Sequence, residues 1–278
     1  MSRHCVPVLT IAGSDSSGGA GIQADIKTIS ALGGYAAAAI TAVTAQNTMG
    51  VTAIEAVSPE VVEAQIHAVM TDIVPRSVKI GMTGSREIID AIAHGLSAYA
   101  DVPLVLDPVM VSTSGCRLAK DDATELLIKR LVPMATLLTP NLPETGQLVG
   151  QDVFTMAERD DAARHILDMG CRAVLIKGGH DEDSDTMEDR LYRFDTQGRI
   201  TIDRFTHRRI DTPNTHGTGC TLSSAIATYL AMGEPLVEAV EKGVTYLHKA
   251  LAQGADLAIG HGHGAVNHTF SPLPMRVD

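Results

Sequence analysis

The sequence predicts an α/β fold in which a mostly parallel sheet lies between two layers of helices. Apolar runs of strand length alternate with amphipathic segments of helical length, as in a sheet covered on both faces. Hydrophobic residues make up 45% of the chain but aromatic residues only 3%, which favours a core of aliphatic side chains over an aromatic-rich sandwich. No linker, repeat or low-complexity tract interrupts the pattern, so residues 1–278 are expected to form one domain.

The first half of the chain alternates strand and helix in this way. Strands are predicted at residues 5–13, 35–46, 51–58, 77–82 and 103–108, and helices at residues 21–34, 59–72, 85–99 and 119–131. The first strand is a buried apolar run that ends in a glycine turn, and the first helix keeps its isoleucines at helical spacing. Residues 35–46 are as rich in alanine as a helix, but their end matches a buried strand and we interpret them as one. Pro59, directly after Ser58, marks a favoured helix start.

The second half adds an antiparallel pair to the same pattern. Strands are predicted at residues 135–140, 171–179, 189–195 and 200–210, and helices at residues 155–169, 218–231 and 235–253. A short turn joins the last two strands, so the sheet is expected to be mixed at one edge. The acidic segment 181–189 is interpreted as a solvated loop rather than a mobile flap or a cation site.

Composition argues against several classes of partner. The net charge of −11 disfavours a general nucleic-acid or membrane-surface binder, since both of those partners are anionic. No apolar run approaches the length of a bilayer span. The four cysteines form no CxxC motif and no metal-like spacing, and the start of the chain has no signal-peptide pattern. We therefore expect reduced thiols and a cytoplasmic protein.

Polar clusters follow the strands at one end of the predicted sheet. They stand at residues 12–21, 44–48, 81–85, 107–115, 139–144, 177–180 and 214–220. Ligands of open parallel sheets bind outside the carboxyl ends of the strands. The clusters are therefore expected to share one active site.

The segment His-Gly-Thr-Gly-Cys at 216–220 stands at the start of a predicted helix. Gly217 and Gly219 allow a tight turn, so that several backbone N–H groups converge at a helix start, where anions bind readily. The same field is expected to favour the thiolate of Cys220. The thiolate can accept a proton from a substrate hydroxyl while the amides steady a phosphoryl group. The motif alone is equally compatible with a small cysteine that only packs the helix start.

Three further residues supply parts of a phosphoryl-transfer site. Lys177 closes a strand and precedes two glycines, a position suited to contact with nucleotide phosphates. Asp107 and Glu144 end or follow neighbouring strands, where hard carboxylates hold magnesium directly or through water. Each residue alone also fits a turn cap or a solvated side chain. The GxxxxGK[ST] motif is missing, which excludes a P-loop enzyme.

A set of segments in fixed order resembles one kinase family. They are LTIAGSDSSGGAGIQADIKTISALGGY, TAVTAQNTMGV, VKIGMTGS, LVLDPVMVSTSG, LLTPNLPE, LIKGGH, NTHGTGCTLSSAIA and GHGHGAVNH. Over nearly the whole chain they closely resemble hydroxymethylpyrimidine/phosphomethylpyrimidine kinases, thiamine-pathway members of the ribokinase-like superfamily. The resemblance implies a ribokinase-like three-layer α/β/α fold. It also implies ATP-dependent phosphorylation of 4-amino-5-hydroxymethyl-2-methylpyrimidine, and then of its monophosphate to the pyrophosphate.

The resemblance further implies roles for individual residues. Cys220 would be the base of the first phosphorylation, beside an anion hole of backbone amides. The implied residues are Gly217, Thr218, Gly219 and Cys220 for catalysis, Gln46, Asp25, Gly13, Met82 and Val109 for the pyrimidine, Lys177, Asn141 and Thr215 for ATP, and Asp107 and Glu144 for Mg²⁺. The amide of Gln46 offers a donor and an acceptor, which suits the edge of an aminopyrimidine. The alternative is that this amide only ties down its own loop.

Other features of the resemblance concern loops and assembly. Residues 111–118 match a mobile cover of the site, in which Cys116 replaces the acidic residue of many relatives. His261, His263 and His268 fall in a glycine-rich C-terminal turn, which we favour over a metal site. Relatives are often dimers, so a homodimer is expected.

Three alternative functions stand beside this assignment. Pyridoxal kinases often carry Asp at the position of Cys220 and lack the DSSGGAGIQAD opening, although some cysteine-bearing relatives phosphorylate both rings. Sugar kinases also usually have Asp in this motif. A non-catalytic sensor would be expected to have lost the lysine, the carboxylates or the base, all of which are present here.

Overall fold

A computed structural model describes residues 3–110, 121–179 and 185–278. The strands in these ranges are β1 (Pro7–Asp15), β2 (Tyr35–Asn47), β3 (Gly50–Ala56), β4 (Ser77–Ile80), β5 (Leu104–Leu106), β6 (Leu137–Leu138), β7 (Ala173–Ile176), β8 (Thr186–Phe194) and β9 (Ile200–Arg208). The α-helices are α1 (Gly21–Ala31), α2 (Pro59–Asp72), α3 (Arg86–Leu96), α4 (Asp121–Arg130), α5 (Leu142–Val149), α6 (Met156–Asp168), α7 (Thr218–Ala231) and α8 (Leu236–Gly254). Among the described helices, none combines the length and apolarity needed to cross a membrane.

The strands form one sheet in the order β3-β2-β1-β4-β5-β6-β7-β8-β9. The six strands from β2 to β7 in this order are parallel neighbours. β3 is antiparallel to β2 at one edge, and β8 and β9 are antiparallel at the other. The predicted antiparallel edge is confirmed in β8 and β9, and the antiparallel pairing of β3 at the other edge was not predicted. Only two residues separate β2 from β3, too few for the crossover that a parallel pairing needs.

Helices cover both faces of the sheet, as predicted. One face packs α1, α7 and α8 over a cluster that includes Val8, Val105 and Leu175. The opposite face packs the other helices over a cluster that includes Leu9 and Leu106. Val8 and Leu9 enter different clusters because successive side chains of a strand point to opposite faces.

Helix α5 was missed in the sequence. Asn141 and Glu144 form a capping box, in which the Asn141 side chain accepts a hydrogen bond from the Glu144 N–H and the Glu144 side chain accepts one from the Asn141 N–H, each at 2.8 Å. The helix has only eight residues, so its apolar periodicity is too short to detect beside Pro140 and Pro143. The cap holds both polar side chains at the carboxyl end of β6.

The acidic segment was predicted as a loop, and this was wrong for its second part. Thr186–Asp189 belongs to β8. Asp189 is buried and accepts a hydrogen bond from the Gly178 N–H at 2.8 Å. Residues 180–184, and the predicted cover 111–118 with its Cys116, lie outside the described residues.

Candidate active site

A cavity of about 680 Å³ opens at the carboxyl ends of the parallel strands. The loops after β1, β2, β4, β5, β6 and β7 and the start of α7 form its walls. The cavity lies where the chain leaves neighbouring strands β1 and β4 for opposite sides of the sheet, the usual position of a ligand crevice. The predicted site residues that line it are Gly13, Gln46, Met82, Asp107, Val109, Asn141, Glu144, Lys177, Thr215, Gly217, Thr218, Gly219 and Cys220. The structure brings these residues together, and their individual roles stay predictions.

Two helix starts converge on this cavity. Gly217 is the N-cap of α7 at a φ of +83°, and a Cβ there would collide with the carbonyl oxygen of Gly19. The first-turn N–H groups of α7 have no partner within the helix, although that of Thr218 donates to the Thr215 carbonyl at 3.3 Å, and such groups are suited to an anion. Helix α1 starts at Gly21, whose N–H hydrogen-bonds to the thiol of Cys220. The positive ends of two helix dipoles therefore lie at the cavity.

The charged groups lie directly beside the start of α7. Lys177 Nζ lies 3.1 Å from Asp107 Oδ1 and 3.8 Å from Glu144 Oε2. Burial alone would lower the pKa of Lys177, but Asp107 and Glu144 outweigh it and raise the pKa to about 12. Burial raises the pKa of Glu144, against the effect of Lys177 and with that of Asp107. The lysine is thus a permanent cation between two buried carboxyl groups.

Cys220 lies in the first turn of α7 and is partly buried. Burial raises the pKa of its thiol to about 11, and Lys79 offsets only part of this effect. The expectation that the helix start favours the thiolate is therefore wrong, because the loss of hydration on burial raises the pKa by more than Lys79 and the Gly21 N–H lower it.

Asp25 does not line the cavity. It is fully buried and forms an ion pair with Lys79, whose Nζ lies 2.8 and 2.9 Å from the two carboxylate oxygens. Ser224 and Thr10 donate their hydroxyl protons to the same carboxylate at 2.6 and 2.5 Å. The structure therefore does not bring Asp25 to the cavity with the other predicted pyrimidine residues, and its contact with the pyrimidine stays a prediction. The group ties α1, β1, β4 and α7 together behind Cys220.

The predicted pyrimidine residues lie on the side of β1 and β2. A Cβ on Gly13 would lie 3.0 Å from Met82 Cε, so the missing side chain lets the thioether cover that wall. The Met82 carbonyl accepts a hydrogen bond from the Thr41 hydroxyl at 2.7 Å. The backbone of Gln46 is held by Ser16, whose hydroxyl donates to the Gln46 carbonyl at 2.7 Å and accepts from its N–H at 2.8 Å. These contacts leave the amide of Gln46 facing the cavity.

Among the cavity residues that sequence reasoning missed, Asp15 and His216 form a hydrogen-bonded pair. Asp15 Oδ2 lies 2.8 Å from His216 Nε2, and both residues are buried. Burial alone would raise the pKa of Asp15, but hydrogen bonds from His216, Ser17 and Ala20 outweigh it and lower the pKa to about 2. Each residue stands next to a recognised glycine motif, yet 201 positions separate them, so only the fold pairs them.

Gly219→Ala is expected to preserve the fold but lower turnover. The new Cβ would lie 3.1 Å from Asp107 Oδ2 and 3.6 Å from Lys177 Nζ, in the space between the first turn and the charged groups. Alanine is favoured over glycine inside a helix by about 0.5–1 kcal/mol, so the melting temperature should hold or rise. We expect kcat/KM to fall by roughly 10²-fold, the loss typical of one misplaced anion-hole donor.

A coupled assay of ADP release and thermal melting by circular dichroism would measure both effects. Gly179→Ala is the matched control, because Gly179 also lines the cavity and a Cβ there meets no atom of the described residues within 4 Å. Unchanged kcat/KM in Gly219→Ala would contradict the assignment of the α7 start to the reacting phosphoryl group.

Residues 15–267 match the family model described as phosphomethylpyrimidine kinase. The chain belongs to the phosphomethylpyrimidine kinase family. A relative named hydroxymethylpyrimidine/phosphomethylpyrimidine kinase, from Rhizobium meliloti (strain 1021), is 50% identical over 264 residues. These residues cover 94% of this chain and 96% of the relative. The resemblance to this family, and with it the kinase class, is confirmed.

Solved structures agree with this assignment to the phosphomethylpyrimidine kinases. The crystal structure of phosphomethylpyrimidine kinase from Clostridium difficile 630 has a TM-score of 0.76 at 44% identity and covers 88% of this chain and 99% of its own. The pyridoxal kinase from Staphylococcus aureus in complex with AMP-PCP and pyridoxal has a TM-score of 0.84 at 35% identity, covering 95% and 93%. The predicted ribokinase-like fold is thereby confirmed. That pyridoxal kinase binds AMP-PCP, an analogue of ATP.

Proposed function

We propose that this kinase transfers the γ-phosphoryl group of ATP to 4-amino-5-hydroxymethyl-2-methylpyrimidine, and then a second one to the resulting monophosphate, for thiamine synthesis. One observation carries the proposal: Cys220, the amides at the start of α7 and the Asp107–Lys177 pair meet at a single cavity. The amides and the lysine suit a transferring phosphoryl group, and the sulfur suits a substrate hydroxyl. The name of the Rhizobium meliloti relative supplies both substrates.

In the first reaction, Cys220 as thiolate accepts the proton of the hydroxymethyl group. The alcohol oxygen then bonds to the γ-phosphorus as the bond to the leaving ADP breaks. The backbone N–H groups of Gly217, Thr218 and Gly219 donate hydrogen bonds to the equatorial oxygens of the transferring phosphoryl group and stabilise their negative charge. In the second reaction the attacking phosphate oxygen is already anionic near neutral pH, so a base contributes less.

The nucleotide would lie along Lys177, Asn141 and Thr215, which all line the cavity. Asp107 and Glu144 are suited to Mg²⁺, because their carboxylates are hard oxygen donors. Together they can carry two negative charges, against the one positive charge of Lys177 between them. Bound there, the ion would neutralise charge on the nucleotide phosphates. Lys177 stays charged through the reaction and holds the β- and γ-phosphates against the start of α7.

The substrate assignment is tested by purified protein with ATP and each of three acceptors. The pyrimidine and its monophosphate should both be phosphorylated, with the pyrophosphate as final product detected by mass spectrometry. Strong turnover of pyridoxal without turnover of the pyrimidine would reverse the assignment. We also propose weaker side activity on pyridoxal, because the Staphylococcus aureus pyridoxal kinase shares this fold at 35% identity.

Gln46→Ala is expected to raise the KM for the pyrimidine by roughly 10-fold to 100-fold while leaving the KM for ATP unchanged. Gln46 lines the cavity, and its amide offers one donor and one acceptor to an aminopyrimidine edge. The range is that expected for loss of a paired polar contact to a ligand. Steady-state kinetics with each substrate varied in turn would measure it. A KM for the pyrimidine equal to that of the unmodified enzyme would remove Gln46 from the pocket.

We propose a cytoplasmic homodimer, assembled through the hairpin of β2 and β3. Val43, Met49 and Ile54 expose 52%, 67% and 43% of their surface on this hairpin, an unusual concentration of large apolar groups. Sedimentation equilibrium should give about twice the 29.3 kDa chain mass, and Ile54→Glu should give the monomer by placing unpaired charge in the contact. A monomeric parent protein at micromolar concentration would contradict the dimer.

A further inference from the structure

The pair formed by Asp15 and His216 has no part in the steps proposed above, yet it borders the cavity. Both residues are almost fully buried, at 2% and 6% exposure. His216 comes directly before the N-cap Gly217, and Gly219 follows two residues after that cap. The pair therefore joins the loop after β1 to the start of α7, next to Gln46.

The surroundings of Asp15 determine which ring nitrogen of His216 carries a proton. The carboxylate accepts backbone hydrogen bonds from Ser17, Gly19 and Ala20 at 2.7–3.0 Å. An ionised carboxylate only accepts hydrogen bonds. The contact at 2.8 Å therefore requires that His216 Nε2 is the donor.

This proton has a consequence for the amide of Gln46. Gln46 Nε2 lies 3.4 Å from His216 Nε2, which sets two donors against each other. At the other end of the amide, Oε1 lies 3.2 Å from Thr44 Oγ1, but that hydroxyl donates its single proton to the Ser14 carbonyl at 2.8 Å. A half turn of the amide exchanges its oxygen and nitrogen, and the Thr44 hydroxyl oxygen then accepts from the amide nitrogen. The amide oxygen then lies 3.4 Å from His216 Nε2 and shares the single N–H proton with Asp15 as a second, longer acceptor, so that two donors no longer oppose each other. The Gln46 backbone, held by Ser16, does not need to move.

We propose that Asp15 and His216 are positioning residues that hold the Gln46 amide with Oε1 toward His216 and Nε2 toward Thr44, and that this polarity decides which way the pyrimidine ring lies. The inference rests on the proposed contact between Gln46 and the pyrimidine. In that contact Oε1 accepts from the 4-amino group and Nε2 donates to the adjacent ring nitrogen.

The polarity matters because the pyrimidine is asymmetric about this edge. The hydroxymethyl group stands next to the amino group on the ring. If the amide were reversed, the ring would have to turn over to keep both hydrogen bonds, and the hydroxymethyl group would move to the opposite side. The substrate would still bind but would be misplaced relative to the reacting phosphoryl group, and misplacement costs rate more than binding.

His216→Phe tests the proposal, because it keeps an aromatic ring but removes the donor. We expect kcat for the pyrimidine to fall by roughly tenfold or more with little increase in its KM, since reversed binding is unproductive. The KM for ATP should stay within about twofold. His216→Gln, whose amide can donate at a similar reach, should recover much of the loss.

A double-mutant cycle with Gln46→Ala separates positioning from a general structural effect. In the Gln46→Ala background, His216→Phe should cost less than about twofold further, because the amide that it orients is gone. Equal losses in both backgrounds would overturn the proposal. If Gln46→Ala by itself changes neither kcat nor KM, the assignment of Gln46 to the pocket fails first, and the proposal falls with it.

A second variant keeps the test valid if His216→Phe does not fold. Asp15→Asn places an amide against Nε2, which allows the opposite tautomer of His216 and hence the opposite amide polarity. It should reproduce the loss of kcat, and this loss should again vanish in the Gln46→Ala background. Thermal melting of each variant establishes which of them are folded. An Asp15→Asn enzyme with unchanged kcat would overturn the proposal.

Discussion

Cys220→Ala is expected to slow the first phosphorylation by about 10²–10⁴-fold, the usual contribution of a general base. The second phosphorylation should lose much less, because its nucleophile is an anionic phosphate oxygen. Cys220 stands in the first turn of α7, beside the amides assigned to the phosphoryl group and within reach of the Gly21 N–H. Rapid-quench single-turnover measurements with the pyrimidine and with its monophosphate would give the two rates separately.

The pH dependence supplies an independent check on Cys220. Burial raises the pKa of its thiol to about 11, so at neutral pH the thiol is protonated and the thiolate is a minor species. The thiolate fraction grows about tenfold for each pH unit below that pKa. We therefore expect kcat/KM for the pyrimidine, which reports the free enzyme, to rise between pH 7 and 9 and to level only above that range. Cys220→Ala should flatten this profile.

Cys5→Ala is the matched control for these measurements. Cys5 is also a free, partly buried thiol, but its backbone forms an isolated β-bridge with Val277 near the chain termini, and it does not line the cavity. It should show unchanged rates for both reactions. Equal losses in both reactions for Cys220→Ala would contradict its role as the base and would indicate a packing role instead.

Asp25→Ala is expected to lower the free energy of unfolding by about 3–5 kcal/mol, because it leaves a buried ammonium without its partner. Lys79 and Asp25 are both 0% exposed, and burial would by itself lower the pKa of Lys79. The nearby Asp25, Cys220 and Asp107 raise that pKa above its usual range, so the lysine is charged in the core. Urea denaturation followed by circular dichroism would measure the loss.

The pH range of this effect follows from the direction of the shift. A lysine whose folded pKa is raised contributes stability that is fully present below its unfolded pKa of about 10.4 and is lost only as pH rises through the folded value. The stability that the pair contributes to the unmodified protein should therefore be constant between pH 6 and 9. In Asp25→Ala, burial lowers the pKa of the unpaired Lys79, so the deficit should shrink as pH rises through that interval. A deficit that stayed constant would mean that Lys79 keeps its proton without Asp25.

Two control variants separate burial from charge pairing in general. Arg76 and Asp278 form an ion pair at 2.6 Å, but their side chains are 40% and 45% exposed. Arg76→Ala should cost less than about 1 kcal/mol. Replacing Asp25 by leucine and Lys79 by methionine together should restore part of the loss, since neither charge is then left unpaired. If Asp25→Ala cost no more than Arg76→Ala, the buried pair would not stabilise the fold.

The parts of this protein that the sequence predicts well are those encoded over short distances. Alternation of apolar runs predicts the parallel strands and the helices between them, because burial on one or two faces imposes a period of two or 3.6 on nearby residues. The glycines around Thr218 predict a helix start that binds anions, because backbone freedom and helix dipoles are local properties. The order of the motifs predicts the kinase family.

Other features of the same chain were mispredicted for equally physical reasons. Helix α5 is too short to show periodicity, and the pairing of β3 with β2 depends on a connection of only two residues. The protonation of Cys220 depends on how much of its hydration the surrounding elements remove, which no local motif records. Thr186–Asp189 is acidic like a loop, yet it is a strand because β9 pairs along its whole length.

The sequence by itself determined the family, the order of the elements and most of the residues around the cavity, since periodicity and motifs are properties of neighbours along the chain. Only the tertiary structure decided that Asp25 is a buried partner of Lys79, and that Asp15 and His216 meet beside Gln46. Asp25 and Lys79 are 54 positions apart in the sequence, and Asp15 and His216 are 201 positions apart. Whether such groups become ion pairs, donors or solvated side chains is set by the water that folding excludes around them.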